Sequence, residues 1–309
     1  MEKPYRDLAT YLKGRLGGKC AKIAIDGGFT CPNRDGSVGV GGCAFCSSLG
    51  GGDFAERAAC GAPDAIREAV LARLDAPHAR RADRFIAYFQ AFSSTYAPVD
   101  VLRARYEAAL CDGRIVGLAV GTRPDCITEG IADLLAEFAK THYVSVELGL
   151  QTASDDVADA MCIACPRSRF AEATRMLAAR GIDVVAHLMI GLPGEDREGW
   201  LRTMDYVNRL PVSGVKFHSV YVLQNTRLAE MYARGEYAPQ TREEYVAAVC
   251  ELIAHARPDL VIHRLGGDAP KNELVAPAWN ADKRGTLDAI HRALTARGIT
   301  QGCAYSAEE

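Results

Sequence analysis

Three cysteines lie close together in a glycine-rich stretch near the start of the chain. They are Cys31, Cys43 and Cys46, and their spacing is C-x11-C-x2-C. Glycines between them allow the backbone to fold tightly, so the three thiolates can converge on one centre. A structural zinc ion prefers four protein ligands, whereas a 4Fe–4S cubane held by three cysteines leaves one iron open to a further ligand. Both interpretations stay open at this point. In a zinc site, the fourth ligand would be Cys20, Cys60 or a histidine.

The elements that must position these cysteines follow a regular alternation of strands and helices. Strands are predicted at residues 22–25, 84–89, 115–120, 143–148, 182–190 and 214–222, with helices after most of them. Such alternation implies a parallel sheet covered by helices, which a partial (β/α) barrel and a doubly wound sheet both satisfy. Residues 1–225 are assigned to this unit with its N-terminal extension and cysteine loop. Residues 226–309 are assigned to a C-terminal cap packed on it.

Polar residues follow the predicted strands, at the edge where parallel α/β folds place their reactive groups. These residues are Asp26, Gln90, Thr122, Arg123, Glu147, Gln151, His187 and His218. The alternative is that they are polar only because a strand end meets water. Later in the chain, Lys271, His263, Arg264 and Asp268 either line a substrate entrance or belong to a solvated loop.

Composition limits the classes of function. The chain has 309 residues and a net charge of −3, so its overall charge does not favour nucleic-acid binding. No apolar run is long enough to span a membrane, and the first residues lack the apolar segment of a signal peptide. We therefore expect a cytoplasmic protein without membrane association. Its eleven cysteines, an odd number, then indicate metal ligation and buried thiols instead of a disulfide framework.

Several motifs together resemble the radical S-adenosylmethionine (radical SAM) enzymes. The loop ends in Cys-x-aromatic-Cys, and its long first spacing is similar to the branch that contains the Elongator catalytic subunit. The run DGGFTCPNRDG over residues 26–36 is similar to the bacterial YhcC-like subgroup. Further matching motifs are QAF at 90–92, TYAP at 95–98, GTRPDC at 121–126, ELGLQT at 147–152, GLPGE at 191–195 and HRL at 263–265. The resemblance covers nearly the whole chain.

This resemblance implies an α/β fold, a partial (β/α)6 TIM-type barrel of parallel strands with a C-terminal helical cap. It implies an enzyme in which the three cysteines ligate a 4Fe–4S cluster and S-adenosylmethionine (SAM) binds the open iron. One electron from a donor such as flavodoxin or ferredoxin would cleave SAM to a 5′-deoxyadenosyl radical. That radical would abstract hydrogen from an unknown substrate, RNA or a small molecule. A zinc-stabilised α/β binding module without redox chemistry is the alternative.

The resemblance also implies which residues contact SAM. They are Phe45, Gln90, Ser93, Glu147, Gln151, His187 and Leu192. Phe45 would pack near the adenine, Gln90 and Ser93 would lie near the methionine amino group, and Gln151 would bond the ribose. The backbone at Leu192 would face the adenine. The alternative for Glu147 is that it is polar only because its strand end meets water. The alternative for His187 is that it is a core histidine whose hydrogen bonds are satisfied within the protein.

One stretch departs from the family pattern. Where the family carries an arginine placed to pair with the methionine carboxylate of SAM, this chain has Ile163. Either Arg167 or Arg169 reaches the carboxylate instead, or the chain is a cluster-binding family member with impaired SAM binding. The flanking Cys162 and Cys165 are a redox pair, ligands of a second centre, or two ordinary thiols.

Overall fold

Strands alternate with helices through the residues that the computed structural model describes, 3–58 and 61–307. The strands are β1 (Cys20–Asp26), β2 (Glu56–Arg57), β3 (Arg84–Phe89), β4 (Ile115–Thr122), β5 (Tyr143–Gln151), β6 (Asp183–Ile190), β7 (Gly214–Ser219), β8 (Val222–Leu223), β9 (Val261–Arg264) and β10 (Leu274–Ala276). The helices are α1 (Leu8–Leu16), α2 (Pro63–Asp75), α3 (Val99–Ala109), α4 (Glu129–Ala139), α5 (Asp155–Ala160), α6 (Arg167–Ala178), α7 (Arg197–Asn208), α8 (Arg227–Ala233), α9 (Arg242–His255) and α10 (Lys283–Ala296). Within the same ranges, no helix is long and apolar enough to cross a membrane.

An eight-stranded parallel sheet forms the centre of the protein. Its strands pair in the order β2-β1-β3-β4-β5-β6-β7-β9, and every pair is parallel. The six predicted strands are β1 and β3 to β7. They follow one another in chain order, as in a barrel wall, whereas a doubly wound sheet reverses its order partway. The partial (β/α) barrel is therefore confirmed, and the carboxyl ends of its strands meet at one edge.

Apolar burial explains how the helices and the sheet pack. In α4, Ile131, Leu134, Leu135 and Phe138 recur at spacings of three and one and are all buried. This places them on one helical face. Burying each such side chain contributes about 1.5–3 kcal/mol. In β5 the first six positions are buried as well, and they include the charged residue Glu147. A buried charge of this kind needs partners, and these are described below.

Helix α1 closes the open side of the barrel. It contacts both β1 and β9, strands that lie near opposite edges of the sheet. Asp7 caps the helix by accepting the Ala9 amide at 3.1 Å, and its backbone pairs with that of Ile262 in β9. Helix α1 was not predicted from the sequence, because its apolar periodicity is weak and Leu12 is its one buried residue.

The residues after β7 differ from the prediction at one point. The strand predicted at 214–222 is two strands, since β7 ends at Ser219 and β8 turns away to pair antiparallel with β10. Helix α9 begins with a capping box formed by Thr241 and Glu244 and packs against α10. Strand β9 then returns to pair with β7. The chain beyond residue 225 thus contributes a strand to the central sheet, and the division at that residue stays a prediction.

Candidate functional site

A cavity of about 410 Å³, called here the main cavity, opens at the carboxyl ends of the strands. It gathers most of the predicted site residues: Cys31, Cys43, Cys46, Gln90, Ser93, Glu147, Gln151 and His187. A smaller cavity of about 130 Å³ shares part of this lining, and Phe45 belongs to it. Leu192 lines neither cavity but is buried in an apolar cluster with Ala44 and Met161. The structure therefore brings the predicted side chains together, with the exception of Leu192.

The cysteine loop folds back on itself, and this accounts for its long first spacing. Asp35 and Val40 form an isolated antiparallel bridge. The Gly42 amide donates to the Asn33 carbonyl over 2.8 Å, just before the second cysteine. The residues between the first two cysteines therefore form a small hairpin that returns the chain to its starting point. A long spacing is in this way compatible with three thiols that line one cavity.

Two side chains attach the loop to its surroundings. Asn33 is buried, and its Nδ2 donates to the Cys162 carbonyl at 2.7 Å and approaches Cys43 Sγ at 3.5 Å. Arg34 donates to the Cys46 carbonyl at 3.2 Å. The backbone on both sides of the hairpin is thus held by side chains that belong to the motif itself.

Burial governs the acidity of the loop thiols. Burial, followed by the nearby Cys46, raises the pKa of the Cys43 thiol to about 12. Burial also raises the pKa of Cys46, although Arg34 opposes the effect. A soft set of three sulfur donors is the set that selects iron–sulfur clusters or zinc. Across the described ranges, no three His, Cys, Asp or Glu side chains lie close enough together to hold a single metal ion.

The zinc alternative required a fourth ligand. Cys20 begins β1, so it lies at the opposite end of that strand from the loop that carries Cys31. Cys60 lies outside the described residues. The three thiols that line the main cavity therefore gain no ligand from Cys20.

Glu147 stands at the centre of a buried ionic network. Its side chain is 0% exposed, and its carboxylate accepts from Lys22 Nζ and Tyr88 OH, each at 2.5 Å. His187 Nε2 contacts the same carboxylate at 2.9 Å, and Lys216 also donates to it. Glu147 is thus not a solvated strand end. His187 has the partner that a satisfied core histidine needs, yet its ring also lines the main cavity.

The charges of this network follow from burial and mutual attraction. Burial alone would raise the pKa of Glu147, but Lys216 and Lys22 attract its charge and hold the pKa well below its usual range. Burial lowers the pKa of Lys216; Glu147 opposes this shift and Lys22 reinforces it. Burial and the charge of Lys216 lower the pKa of His187. At neutral pH, Glu147 is ionised, His187 is neutral and two lysines share one carboxylate.

Gln151 ends β5 in a strained backbone conformation. Its φ of 69° lies in the left-handed region, which few residues other than glycine adopt. The register between β5 and β6 shifts between Gly149 and Gln151. A Cβ atom at Gly149 would lie 2.7 Å from Gln151 Nε2, so the glycine leaves room for the amide. Strain of this kind, at a residue that lines both cavities, is typical of a functional position.

Arg123 is a residue of the main cavity to which the sequence analysis gave no role. Its guanidinium forms a fork on Asp125, with distances of 2.9 and 2.7 Å. It also donates to the carbonyls of Ile163 and Ala164 at 2.8 and 2.9 Å. Ile163 occupies the position of the arginine in the family pattern, so a guanidinium from another strand end lies directly beside that position. The GTRPDC motif, with its Arg-x-Asp pair, was the signal in the sequence.

The two arginines expected to replace the family arginine lie elsewhere. Arg167 pairs with Asp155 at 3.6 Å, and Arg169 pairs with Glu172 in the first turn of α6. Neither lines the main cavity. Helix α6 leaves both side chains about half exposed at the surface, so the structure does not bring them to the cavity, and Arg123 is the cation found beside Ile163.

Cys162 and Cys165 have different surroundings. Cys162 has a φ of 54°, and its Sγ accepts from Arg227 Nη1 at 2.8 Å. Cys165 lines the main cavity, and burial raises the pKa of its thiol to about 11. Cys165 is therefore a cavity residue, whereas Cys162 is held by an arginine of α8.

Two family models match most of the chain. The model of the Radical SAM superfamily matches residues 31–207, and the model of the Radical_SAM C-terminal domain matches residues 212–296. The chain is 38% identical over 301 residues to YtqA of Bacillus subtilis, a match that covers 97% of this chain and 92% of the relative. It is 36% identical over 294 residues to YhcC of Escherichia coli, covering 95% and 93%.

Two further similarities involve a protein named Elp3 and a protein named as a tRNA uridine(34) acetyltransferase. The solved structure of Elp3 from Methanocaldococcus infernus superposes with a TM-score of 0.66 at 18% identity, covering 91% of this chain and 64% of that one. At this identity the similarity concerns the fold. A tRNA uridine(34) acetyltransferase of Methanocaldococcus jannaschii is 32% identical over 151 residues, 47% of this chain and 26% of the relative.

Proposed function

Since the chain belongs to the radical SAM superfamily, we propose that this enzyme holds a 4Fe–4S cluster on Cys31, Cys43 and Cys46 and binds SAM beside it. The observation that supports this most is that three thiols of one loop line the same cavity as the polar strand ends. When bound, cluster and SAM supply reductive cleavage of SAM to a 5′-deoxyadenosyl radical, which removes hydrogen from a substrate carbon. The protein's part is to bind, orient and exclude water.

The two cavities offer different surroundings for the parts of SAM. Gln90 and Ser93 line the main cavity and are assigned to the methionine amino group. Gln151 borders both cavities, so its amide is assigned to a ribose hydroxyl between them. Phe45 and Met189 give the smaller cavity apolar walls suited to the adenine. His187 presents its ring to both cavities, and Glu147, which is fully buried, acts on the site by holding that ring.

Arg123 is assigned to the methionine carboxylate. A guanidinium has five N–H groups, and the hydrogen bonds to Asp125 and to the two carbonyls use four of them. One N–H on Nη1 is left for a carboxylate. Because the Asp125 fork and the carbonyls hold the guanidinium rigidly, little conformational entropy is lost when it binds an anion.

The proposed electron donor is a flavodoxin or a ferredoxin, and the proposed substrate is a small molecule. RNA is the second candidate, because a relative named as a tRNA uridine(34) acetyltransferase matches 47% of this chain. The net charge of −3 supplies no general attraction for a polyanion.

The test is anaerobic reconstitution with iron and sulfide, followed by reduction with dithionite in the presence of SAM. We expect about four irons per chain, a brown protein and release of 5′-deoxyadenosine. Cys43→Ala should lose the iron, whereas Cys111→Ala, a matched change of a thiol outside both cavities, should keep it. A colourless protein that retains zinc, or full iron content in Cys43→Ala, would overturn the proposal.

A further inference from the structure

A third cavity, of about 470 Å³, lies at the open side of the barrel and is called here the side cavity. Residues of α1 and α10 line it together with residues of β1 and β9. It shares Tyr88, Gln90, Lys216 and Arg264 with the main cavity. The two cavities therefore meet at these four side chains, and a ligand long enough could occupy both.

Positive charge dominates the lining of the side cavity. Its cations are Lys3, Lys22, Lys216, Arg264 and Lys283, and its carboxylate is Asp7, which pairs with Lys3 at 3.1 Å. The other four cations pair with Glu147 and Asp268, two carboxylates that line the main cavity. Lining of this kind attracts anions and repels cations.

Each of those two carboxylates is shared by two cations. Glu147 accepts from the two lysines of the network described above. Asp268 accepts from Arg264 at 2.9 Å and from Lys283. Four cationic side chains thus face two carboxylates where the cavities meet, and positive charge is in excess there even though burial lowers the pKa of Lys216 to about 7. An excess of charge in a partly buried place is costly unless an anion balances it.

A buried histidine nitrogen adds a polar group without a partner. His263 lines the side cavity, and its Nδ1 is buried and has no hydrogen-bond partner among the residues that the structure describes. Burial, reinforced by the charge of Lys22, lowers the pKa of His263 well below its usual value, so its ring is neutral. A neutral imidazole can donate one hydrogen bond to an anion.

We propose that the side cavity binds an anionic group, a phosphate or a carboxylate, of a small-molecule substrate whose reacting carbon extends past Lys216 and Tyr88 into the main cavity. That the ligand is the substrate rests on the proposed function; that the cavity binds an anion does not. These cations line one cavity, which favours a small molecule over RNA. Charged hydrogen bonds from Arg264 and Lys283 would hold the anion.

The experiment titrates the reconstituted protein with inorganic phosphate and, separately, with malonate, by calorimetry at constant ionic strength. We expect saturable binding, and the tighter of the two probes identifies the anion. Lys283→Gln should weaken binding roughly tenfold or more, as for the loss of one charged hydrogen bond. Asp268→Asn should tighten it, because the carboxylate that competes for two cations is removed. Arg284→Gln, at the next position of α10 and outside the lining of the side cavity, is the matched control and should bind like the wild type.

Several results would overturn the anion site. These are no saturable binding of either probe, equal binding by Lys283→Gln and Arg284→Gln, or weaker binding by Asp268→Asn at an unchanged melting temperature. Binding of bulk tRNA that Lys283→Gln weakens, with no binding of the small anions, would replace the small molecule with RNA. SAM cleavage by the same wild-type sample separates the two proposals. Anion binding without cleavage overturns only the proposed function, and cleavage without anion binding overturns only this site.

Discussion

Replacing Glu147 by glutamine removes one negative charge from the buried network and nearly preserves the shape of the side chain. Removing one partner of a buried ion pair typically costs 3–5 kcal/mol, because the remaining charge is left uncompensated. Here two cations lose their shared partner. The side chain of Lys22 is 19% exposed and keeps some water, whereas that of Lys216 is 9% exposed and must release its proton or stay charged without a partner. We therefore expect Glu147→Gln to lower the free energy of unfolding by about 3 kcal/mol, the lower end of that range.

The assay is equilibrium urea unfolding at pH 7, with Glu137→Gln as the matched control. Glu137 pairs with Arg103 at 2.6 Å, but the two side chains are 50% and 40% exposed, and such a surface pair contributes only about 0–1 kcal/mol. The deficit of Glu147→Gln should shrink as the pH rises towards 7 and then stay constant. Burial lowers the pKa of folded Lys216 to about 7 against the opposing attraction of Glu147, and without Glu147 it falls further, so below pH 7 a rise in pH stabilises the variant more than the wild type. Equal losses in the two variants, or a deficit that grows with pH, would refute this account of the network.

Three further outcomes are expected. Arg123→Met should weaken SAM binding about tenfold to a hundredfold in anaerobic calorimetry. The control Arg114→Met removes a forked surface pair outside the cavities and should leave SAM binding unchanged. Equal SAM affinities of the two variants would remove Arg123 from the site. Gln151→Ala should keep its iron and weaken SAM binding roughly fivefold, as for the loss of about 1 kcal/mol, and unchanged binding would contradict the ribose assignment. Burial raises the pKa of Glu195 from 4.5 to about 7, so the folded protein holds a proton that the unfolded chain releases in this window, and stability falls as the pH rises through it. Glu195→Gln should remove that loss of stability, on the order of 1–3 kcal/mol between pH 5 and 8. The control Glu198→Gln should retain it. Identical melting temperatures of the two variants at both pH values would contradict the raised pKa of Glu195.

The barrel could be predicted because its strands are continuous apolar runs that end in polar residues. β6 illustrates this: apolar residues fill it from Val184 to Ile190 except at His187, which faces the main cavity. The cysteine loop could be predicted as a site from its residue types and spacing. Helix α1 could not, since one buried leucine in nine residues gives no apolar stripe.

The partners of the site residues could not be predicted, because they come from distant parts of the chain. Lys22 and Lys216 are 125 and 69 positions away from Glu147 in sequence. Only the register of the sheet brings them together, for example by placing Lys216 directly beside His187 on the neighbouring strand. Arg123 was visible at a strand end, but its contact with the Ile163 carbonyl depends on how the loop after α5 folds. Sequence motifs thus indicated which residues matter, and the sheet decides what each one touches.

The closure of the barrel by α1 has a consequence for how the protein matures. Arg6, just before α1, donates to the Asp259 carbonyl at 3.0 Å across 253 positions of sequence, whereas the strands from β1 to β7 pair with neighbours that follow soon in the chain. Contacts of such long range form late, because closing a long loop costs entropy before any contact is made. During synthesis the strand–helix units can assemble one after another while the side of the barrel next to α1 is still open. Under the proposed function, that interval would give iron and sulfide a route to the cysteine loop before β9 and α1 close this side of the barrel.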